Sequence, residues 1–219
     1  MKIKIDNKLK ECCPNIHIGT ITANVEVNES NDELLAIIDE ECKNIQNSIS
    51  TKDISSIPNI QNSRKAYKAI GKDPSRYRLS SEALIRRVVK GNGLYKINNV
   101  VEINNLISIK SGWSLGSYDI DKIQGEIIFT IGQEGEHYKG IGKDDINISN
   151  LPVFEDDLGK FGSTTSDSTR AMITANTKSI MINIISFDGK DGLDKYLNEA
   201  KDLLERYANS KILSVDINV

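Results

Sequence analysis

The stretch from residue 95 to 119 combines an apolar periodicity with helix boundary signals at both ends. Its apolar residues recur at spacings of three and four, which gathers them on one broad side of a helix. Asn98 or Asn99 stands where an N-cap is expected, because an amide oxygen there can accept a hydrogen bond from an unpaired N–H of the first turn. Glu102 follows Asn99 by three residues, which makes a capping box possible. Gly112 is predicted to end the helix, and the SLGSYDID segment after it is predicted to be extended.

Other parts of the chain alternate between apolar and polar residues or carry apolar runs, both of which predict strands. Predicted strands cover residues 1–5, 16–27, 125–131, 136–141, 170–174, 179–187 and 211–219. Further helices are predicted at residues 31–45, 61–70, 80–91 and 193–207. Ser80 or Ser81 is expected to cap the third of these helices, and residues 151–162 are expected to be a connection. We therefore predict an α+β fold, a largely antiparallel sheet with packed helices, in one compact unit of residues 1–219.

The composition is ordinary for a globular protein, with 38% hydrophobic and 27% charged residues and a net charge of −3 among 219 residues. A net negative charge argues against a protein that is positive over its whole surface, but it leaves room for a local basic face. No window approaches the roughly 18 apolar residues of a membrane span, and the N-terminus lacks a signal-peptide core. We therefore expect a cytoplasmic protein that does not contact membranes.

Residues typical of metal and catalytic sites are scarce. Cys12, Cys13 and Cys42 have neither a disulfide framework nor metal-ligand spacing, and we interpret them as reduced thiols. His17 and His137 are interpreted as structural or exposed. Seven acidic residues between 134 and 157 could supply a carboxylate pair or a weak divalent site, but surface solvation is the expected explanation. We predict no metal and no cofactor, and the residues alone assign no catalytic group.

Basic residues are concentrated between Arg64 and Lys96. This range contains ten basic residues and only two acidic ones, Asp73 and Glu82. Lysine and arginine on one face, with tyrosines between them, suit the phosphate backbone and unpaired bases of RNA. The alternative is that amphipathic helices simply direct solvated charge outward and that some of these residues pair with Asp and Glu elsewhere in the fold. The candidate RNA-binding residues are Arg64, Lys68, Lys72, Arg76, Arg78, Arg86, Arg87 and Lys90.

A second segment, residues 162–170, is dense in hydroxyl groups. Such a loop could line a pocket, with several hydrogen-bonding side chains and an arginine, Arg170, able to grip a carboxylate or phosphate. It could equally be a solvent loop held by local turns. The sequence does not decide between the two interpretations.

Both segments carry a resemblance to a known family. Residues 98–119, NNVVEINNLISIKSGWSLGSYD, are similar to the run Asn-Val-Val-Asp-Ile-Thr-Asn, followed by Gly-Gln-Pro-Leu-His-Ala-Phe-Asp. That run belongs to the editing module of the bacterial phenylalanyl-tRNA synthetase beta chain, the pair of domains called B-three and B-four. Residues 161–183 resemble the end of the same module, where a Gly-Gly loop precedes a threonine, an apolar strand and a glutamate. The resemblance covers about residues 64–187 and implies the module's fold and a tRNA partner.

Two polar groups of the family are missing at the matching positions. The pocket histidine falls on Gly116, and the strand glutamate, counted from the threonine that matches Thr177, falls on Asn183. These departures put hydrolytic editing of the family's own substrate in doubt. Water positioned by hydroxyl groups or by the tRNA would have to replace them.

Two functions follow as hypotheses. The first is a free-standing tRNA-binding relative of the editing module, either a deacylase that acts in trans on mischarged tRNA or a binder that has lost hydrolysis. The second is a binder or sensor of an amino-acid-like small molecule that does not touch RNA. A pocket between the helix start at Asn99 and the loop from Thr165 to Arg170 would serve either. The pocket candidates are Asn98, Asn99, Glu102, Ser114, Gly116, Tyr118, Thr165, Asp167, Ser168, Arg170 and Asn183.

Overall fold

Two four-stranded β-sheets and a small hairpin frame the structure, a computed structural model that describes residues 2–219. The strands within those residues are β1 (Ile3–Ile5), β2 (His17–Asn24), β3 (Ser114–Asp119), β4 (Ile127–Ile131), β5 (His137–Lys139), β6 (Asp145–Asn147), β7 (Pro152–Asp156), β8 (Gly159–Ser163), β9 (Ser179–Ser186) and β10 (Lys211–Asn218). The helices are α1 (Asn7–Cys12), α2 (Asp32–Ser48), α3 (Pro58–Ala69), α4 (Ser80–Val89), α5 (Asn99–Ser111) and α6 (Leu193–Tyr207). The predicted α+β class is confirmed.

The first sheet has the order β10-β2-β9-β3 and is antiparallel throughout. β9 lies inside it, as its nearly continuous apolar run predicts. Ile180, Ile182 and Ile184 pack with the helices, whereas Met181 and Ile185 pack with the second sheet. Both faces of β9 are therefore covered.

The second sheet has the order β1-β4-β7-β8, with β1 parallel to β4 and the other neighbours antiparallel. Phe129, Phe154 and Phe161 come from this sheet and are fully buried. Together with Tyr118 of β3 they form a second hydrophobic cluster between the sheets. This cluster, which also includes Leu9 of α1 and Ala66 of α3, lies against the face of β9 that carries Met181 and Ile185.

The helix in the central stretch is confirmed, with one change at its start. Asn98 is the N-cap, and its side-chain oxygen accepts a hydrogen bond from the Val101 N–H at 2.9 Å. Glu102 does not complete a capping box with Asn99, because its carboxylate accepts from the Ile97 N–H at 2.7 Å. Gly112 ends α5 with φ of 75°, a left-handed conformation that glycine adopts without strain.

Several local predictions differ from the structure, and strand β6 (Asp145–Asn147) was not predicted. Residues 151–162, expected to be a connection, form the β7–β8 hairpin, and the strand expected at 170–174 is a short 3₁₀ helix over Thr169–Ala171. Neither Ser80 nor Ser81 caps α4, because Leu79 holds the cap position without a side-chain bond. The six-residue α1 lies between the first two strands, where no helix was predicted. The expected strand 1–5 is seen as β1, and Met1 lies outside the described residues.

Candidate ligand pocket and candidate RNA-binding face

Gly116 and Asn183 are direct partners on the neighbouring strands β3 and β9. The side chain of Asn183 is fully buried on the side of the second sheet. Its Oδ1 accepts a hydrogen bond from the Thr20 hydroxyl at 3.0 Å, and Thr20 in turn accepts one from Asn218 Nδ2 at 3.0 Å. Among the described residues, Asn183 Nδ2 has no partner. The two positions where the family resemblance expects a histidine and a glutamate thus lie side by side and carry no ionisable group.

Tyr118 fills the space beside Gly116. A Cβ atom added at Gly116 would lie 2.2 Å from the Tyr118 hydroxyl oxygen, and one added at Gly162 would lie 2.1 Å from it. Tyr118 is only 1% exposed, and its ring meets those of Phe154 and Phe161 edge-on, with centroids 5.6 and 5.0 Å apart. The phenol therefore occupies the volume between two glycines, and side chains at those glycines would exclude it.

The Tyr118 hydroxyl donates a hydrogen bond to Asp167 Oδ1 at 2.8 Å. The same oxygen accepts from the Ser163 N–H at 3.0 Å. Burial raises the pKa of the Asp167 carboxyl to about 7, although both hydrogen bonds oppose the shift. Burial and the neighbouring Asp167 also raise the pKa of Tyr118 well above its usual value, so the phenol stays protonated as the donor. Asp167 is consequently a carboxyl group that titrates near neutrality.

The hydroxyl-rich loop is bonded to the protein itself. The Tyr67 hydroxyl lies 2.5 Å from Thr164 Oγ1 and 2.8 Å from Thr165 Oγ1, and Tyr138 donates to the Ser166 carbonyl at 2.5 Å. Burial raises the pKa of Tyr67 to about 12. The remaining contacts are those of Ser163 Oγ with Ser166 O, of Ser168 Oγ with the Arg170 N–H, and of Ser114 Oγ with Thr164 O. These bonds fix the loop against two tyrosines, the buried Tyr67 and the half-buried Tyr138.

Arg170 forms a bidentate pair with Asp156, whose side chain is fully buried. Its Nη2 donates to Asp156 Oδ1 at 2.7 Å and its Nη1 to Oδ2 at 3.1 Å. The guanidinium also donates to the carbonyl groups of Lys122 and Gly159 at 2.9 and 2.8 Å. The expectation that solvation explains the acidic residues between 134 and 157 is therefore wrong for Asp156. Arg170 serves an internal ion pair in this arrangement.

The start of α5 is bonded to a different part of the molecule. Asn99 Oδ1 accepts from the Asn28 N–H at 3.1 Å, and its Nδ2 donates to the carbonyl groups of Glu26 and Tyr207 at 2.9 and 2.8 Å. Among residues 2–219, no hydrogen bond or ion pair joins Asn98, Asn99 or Glu102 to the loop from Thr165 to Arg170. The structure thus gives the two halves of the expected pocket separate surroundings.

In the basic segment, three arginines meet at Glu82, which is 1% exposed in its side chain. Arg64 and Arg86 approach its carboxylate to 2.8 and 3.0 Å, and Arg78 to 3.8 Å. Glu82 lies four residues from both Arg78 and Arg86, a spacing visible in the sequence, whereas its bond to Arg64 depends on the packing of α3 against α4. Sequence reasoning missed this convergence.

The other basic side chains divide into packed and solvent-facing groups. Lys72 is buried, donates to the Ser149 carbonyl, and lies 3.6 Å from the centre of the Tyr77 ring, and burial lowers its pKa. Arg87 stacks over the exposed Tyr95 ring at 3.9 Å. The exposed members that make no ion pair or side-chain hydrogen bond within residues 2–219 are Lys68, Arg76, Lys90 and Lys96. A solvent-facing cationic surface is therefore present at this segment.

A family profile described as the B3/4 domain matches residues 62–214, which is well over half of the chain. The chain belongs to the B3/4 domain family. The matched range takes in β3, β9 and the whole basic segment, so both candidate sites lie inside the B3/4 domain.

One solved structure similar to this B3/4 chain is an N-terminal fragment of the phenylalanyl-tRNA synthetase beta subunit from Pyrococcus horikoshii. The identity is 15% and the TM-score 0.49, with 96% of this chain and 50% of the other covered. This chain therefore spans about half the length of that fragment. No curated protein matches the sequence of this chain.

Two open cavities lie elsewhere on the B3/4 chain. One, of about 250 Å³, is lined by residues of α1 and α3 and by the chain after β9, among them Cys12, Lys65 and Asp188. The other, of about 460 Å³, lies at one end of the first sheet beside Glu26, Lys178 and Lys211. Neither is lined by a predicted pocket residue. Within residues 2–219 no helix is long and apolar enough to cross a membrane.

Proposed function

We propose that this B3/4 domain protein binds RNA, with tRNA as its partner, through the solvent-facing cations of the basic segment. The observation that carries the proposal is that Lys68, Arg76 and Lys90 of the basic segment are exposed and unpaired within residues 2–219, and that Arg87 of the same segment stacks over the exposed Tyr95 ring. Such cations displace counterions from a phosphate backbone, and an exposed ring offers a stacking surface to an unpaired base. In this proposal residues 1–219 act as one module, and the tRNA partner implies action in the cytoplasm.

The proposal is of a binder that does not hydrolyse aminoacyl-tRNA. Tyr118 occupies the volume beside Gly116 and Gly162, and the hydroxyl groups of the loop are bonded within the protein. An aminoacyl group would have to displace a buried aromatic ring to reach Asn183, and that position offers no base. Both features support binding without turnover.

Trans-acting hydrolysis is the second candidate, and Asp167 is the observation that favours it. A carboxyl group with a pKa of about 7 has the acidity that general-base catalysis requires near neutral pH. It would act only if Tyr118 and the loop moved away from it. Deacylation assays on a panel of correctly charged and mischarged tRNAs separate the candidates. We expect no acceleration over the uncatalysed reaction, and turnover that Asp167→Asn abolishes would establish the second candidate.

Binding is tested by measuring the Kd for tRNA at low and moderate salt. With about four phosphate contacts, raising the salt from roughly 50 to 200 mM should weaken binding on the order of 100-fold. The double variant Lys68→Glu/Arg76→Glu should lose most of the affinity. A matched control is Lys190→Glu/Lys195→Glu, which makes the same charge change at exposed lysines outside the basic segment. Equal losses in the two double variants would refute the proposed surface.

A further inference from the structure

The arginines around Glu82 form a positively charged cluster in which charge is only partly compensated. Arg64 Nη1 lies 2.8 Å from Glu82 Oε2, and Arg86 donates to Oε1 through Nε and Nη2 at 3.1 and 3.0 Å. Arg78 Nε lies 3.8 Å from the same Oε1. Three guanidinium groups thus surround one carboxylate, which leaves a net charge of +2 at one point of an acidic protein.

Two of the three arginines are held in place by further bonds. Arg64 Nη1 donates to the Pro74 carbonyl at 3.3 Å, and Arg86 Nη1 donates to the Thr51 carbonyl at 3.4 Å. Their side chains are 21% and 26% exposed. A ligand that bound them would not need to immobilise two flexible side chains, so little conformational entropy would be lost on binding.

Hydrogen-bond donors in the cluster outnumber the protein's acceptors. A guanidinium carries five N–H groups. Arg78 makes no hydrogen bond with any other described residue, and its side chain is 48% exposed. Nε and Nη2 of Arg64 likewise have no acceptor among residues 2–219. The cluster therefore presents free planar donors next to surplus positive charge.

We propose that Arg64, Arg78 and Arg86, gathered by Glu82, bind one phosphate group, with Arg78 as the solvent-facing arm. Guanidinium groups pair with phosphate oxygens through two parallel hydrogen bonds, a geometry that lysine cannot reproduce. Glu82 fixes the arginines and does not itself contact the ligand. The phosphate is a backbone phosphate of RNA, in which case the inference rests on the proposed function, or it is a free phosphate ion.

The direct test is the binding of inorganic phosphate and pyrophosphate to the intact protein by calorimetry, at constant ionic strength set with chloride. Arg78→Gln should weaken phosphate binding at least about tenfold, as the loss of a charged hydrogen-bonding partner does. Arg206→Gln is the matched control, since Arg206 is an exposed arginine on α6 that lies outside both the cluster and the basic segment. It should change phosphate affinity less than about twofold. Thermal unfolding of both variants checks that neither affects the fold.

Absence of phosphate binding to the unmodified protein at about 10 mM, or equal effects of the two variants, would overturn the inference. The source of the phosphate follows from a second measurement, the salt dependence of RNA binding. If RNA is the source, Arg78→Gln reduces the slope of log Kd against log salt by about one, whereas a free-phosphate site leaves the slope unchanged. Phosphate binding in a protein that binds no RNA would refute the proposed function and leave this site standing.

Discussion

At the scale of single residues, Asn183 and Tyr118 determine what lies between the two sheets. The amide oxygen at position 183 accepts a hydrogen bond from a neutral partner, Thr20, whereas a glutamate there would bring a charge into the interior at considerable cost. Tyr118 fills the remaining volume, and its hydroxyl is bonded to Asp167. The interior at this point is filled by side chains in contact with one another, so a change of size at one position affects its neighbours.

The dependence of Tyr118 on Gly116 gives a first prediction. Gly116→Ala should destabilise the protein by about 1–3 kcal/mol, the usual cost of overpacking, because the new Cβ would collide with the phenol. In a Tyr118→Ala background the same substitution should cost much less. Urea unfolding of the four proteins of this double-mutant cycle measures the coupling. An equal cost in both backgrounds would mean that the phenol does not fill this space.

The raised pKa of Asp167 predicts that the free energy of unfolding depends on pH. Its pKa is raised to about 7 in the folded state from an ordinary 3.8, so the folded state binds more protons than the unfolded state between those values. Stability from this group is therefore greatest at low pH and is lost as the pH rises through about 7. Asp167→Asn, which keeps an acceptor for Tyr118 and Ser163, should gain at least about 1 kcal/mol over the unmodified protein from pH 5 to pH 8. A pH-independent difference in unfolding free energy would contradict this assignment.

Replacing Arg170 is expected to lower the free energy of unfolding, whereas replacing a residue that only contacts a ligand would not. Arg170→Ala would leave the buried Asp156 carboxylate without its cation, at a cost of about 3–5 kcal/mol. Arg76→Ala, an exposed arginine without an ion pair among the described residues, is the control and should stay within about 0.5 kcal/mol. Chemical denaturation measures both. If Arg170→Ala left the free energy of unfolding unchanged, Arg170 would again be a candidate ligand contact.

At the scale of elements, Asn99 joins α5 to two other parts of the chain. Its amide spans from the segment after β2, at Glu26 and Asn28, to the end of α6 at Tyr207. Capping the first turn of a helix requires only one side-chain hydrogen bond. Asn98 supplies that bond, which leaves Asn99 as a tertiary connection.

The difference between the two asparagines is measurable. Asn99→Ala should cost about 1–3 kcal/mol, because it leaves the partly buried backbone groups of Glu26, Asn28 and Tyr207 without this side-chain partner. Asn98→Ala should cost about 1 kcal/mol, the usual value of an N-cap. Equilibrium unfolding in urea compares them. Should Asn98→Ala prove the more harmful change, the assignment of the tertiary role to Asn99 is wrong.

Elements whose signals are local could be predicted from the sequence. α5 carries its cap, its periodicity and Gly112 within its own residues, and α6 agrees with its prediction over Leu193–Tyr207. The β7–β8 hairpin was missed because its pairing forms only when residues 152–163 fold back on themselves. The acidic residues and the proline in this segment also interrupt the apolar pattern that predicts strands. The pairing of Arg170 with Asp156 and the position of the Tyr118 ring depend on tertiary packing, which no spacing reveals. For that reason the family and fold were predictable, whereas the filled pocket was not.

At the scale of the whole molecule, β9 connects the two hydrophobic clusters. Ile182 belongs to the cluster with the helices and Ile185 to the cluster between the sheets. Trp113 reports on the helix side, since it is buried in the first cluster. A strand shared by both clusters favours their unfolding together.

This arrangement predicts one cooperative transition. Ile182→Val and Ile185→Val should each cost about 0.5–1.5 kcal/mol, and both should shift the same midpoint. Tryptophan fluorescence and far-ultraviolet circular dichroism should give coincident curves for each variant. A shift of the dichroism curve alone in Ile185→Val would show that the two clusters unfold separately.

The fit of one phenol between two glycines also restricts the order in which this sequence can change. A side chain at 116 or 162 is excluded as long as Tyr118 is present, because either Cβ would lie about 2 Å from the phenol oxygen. A histidine at 116 could therefore be accommodated only after residue 118 had become smaller. That first step alone leaves a void and lowers the free energy of unfolding. Substitutions at positions 116, 118 and 162 are therefore expected to be tolerated in one order only, with the change at Tyr118 first.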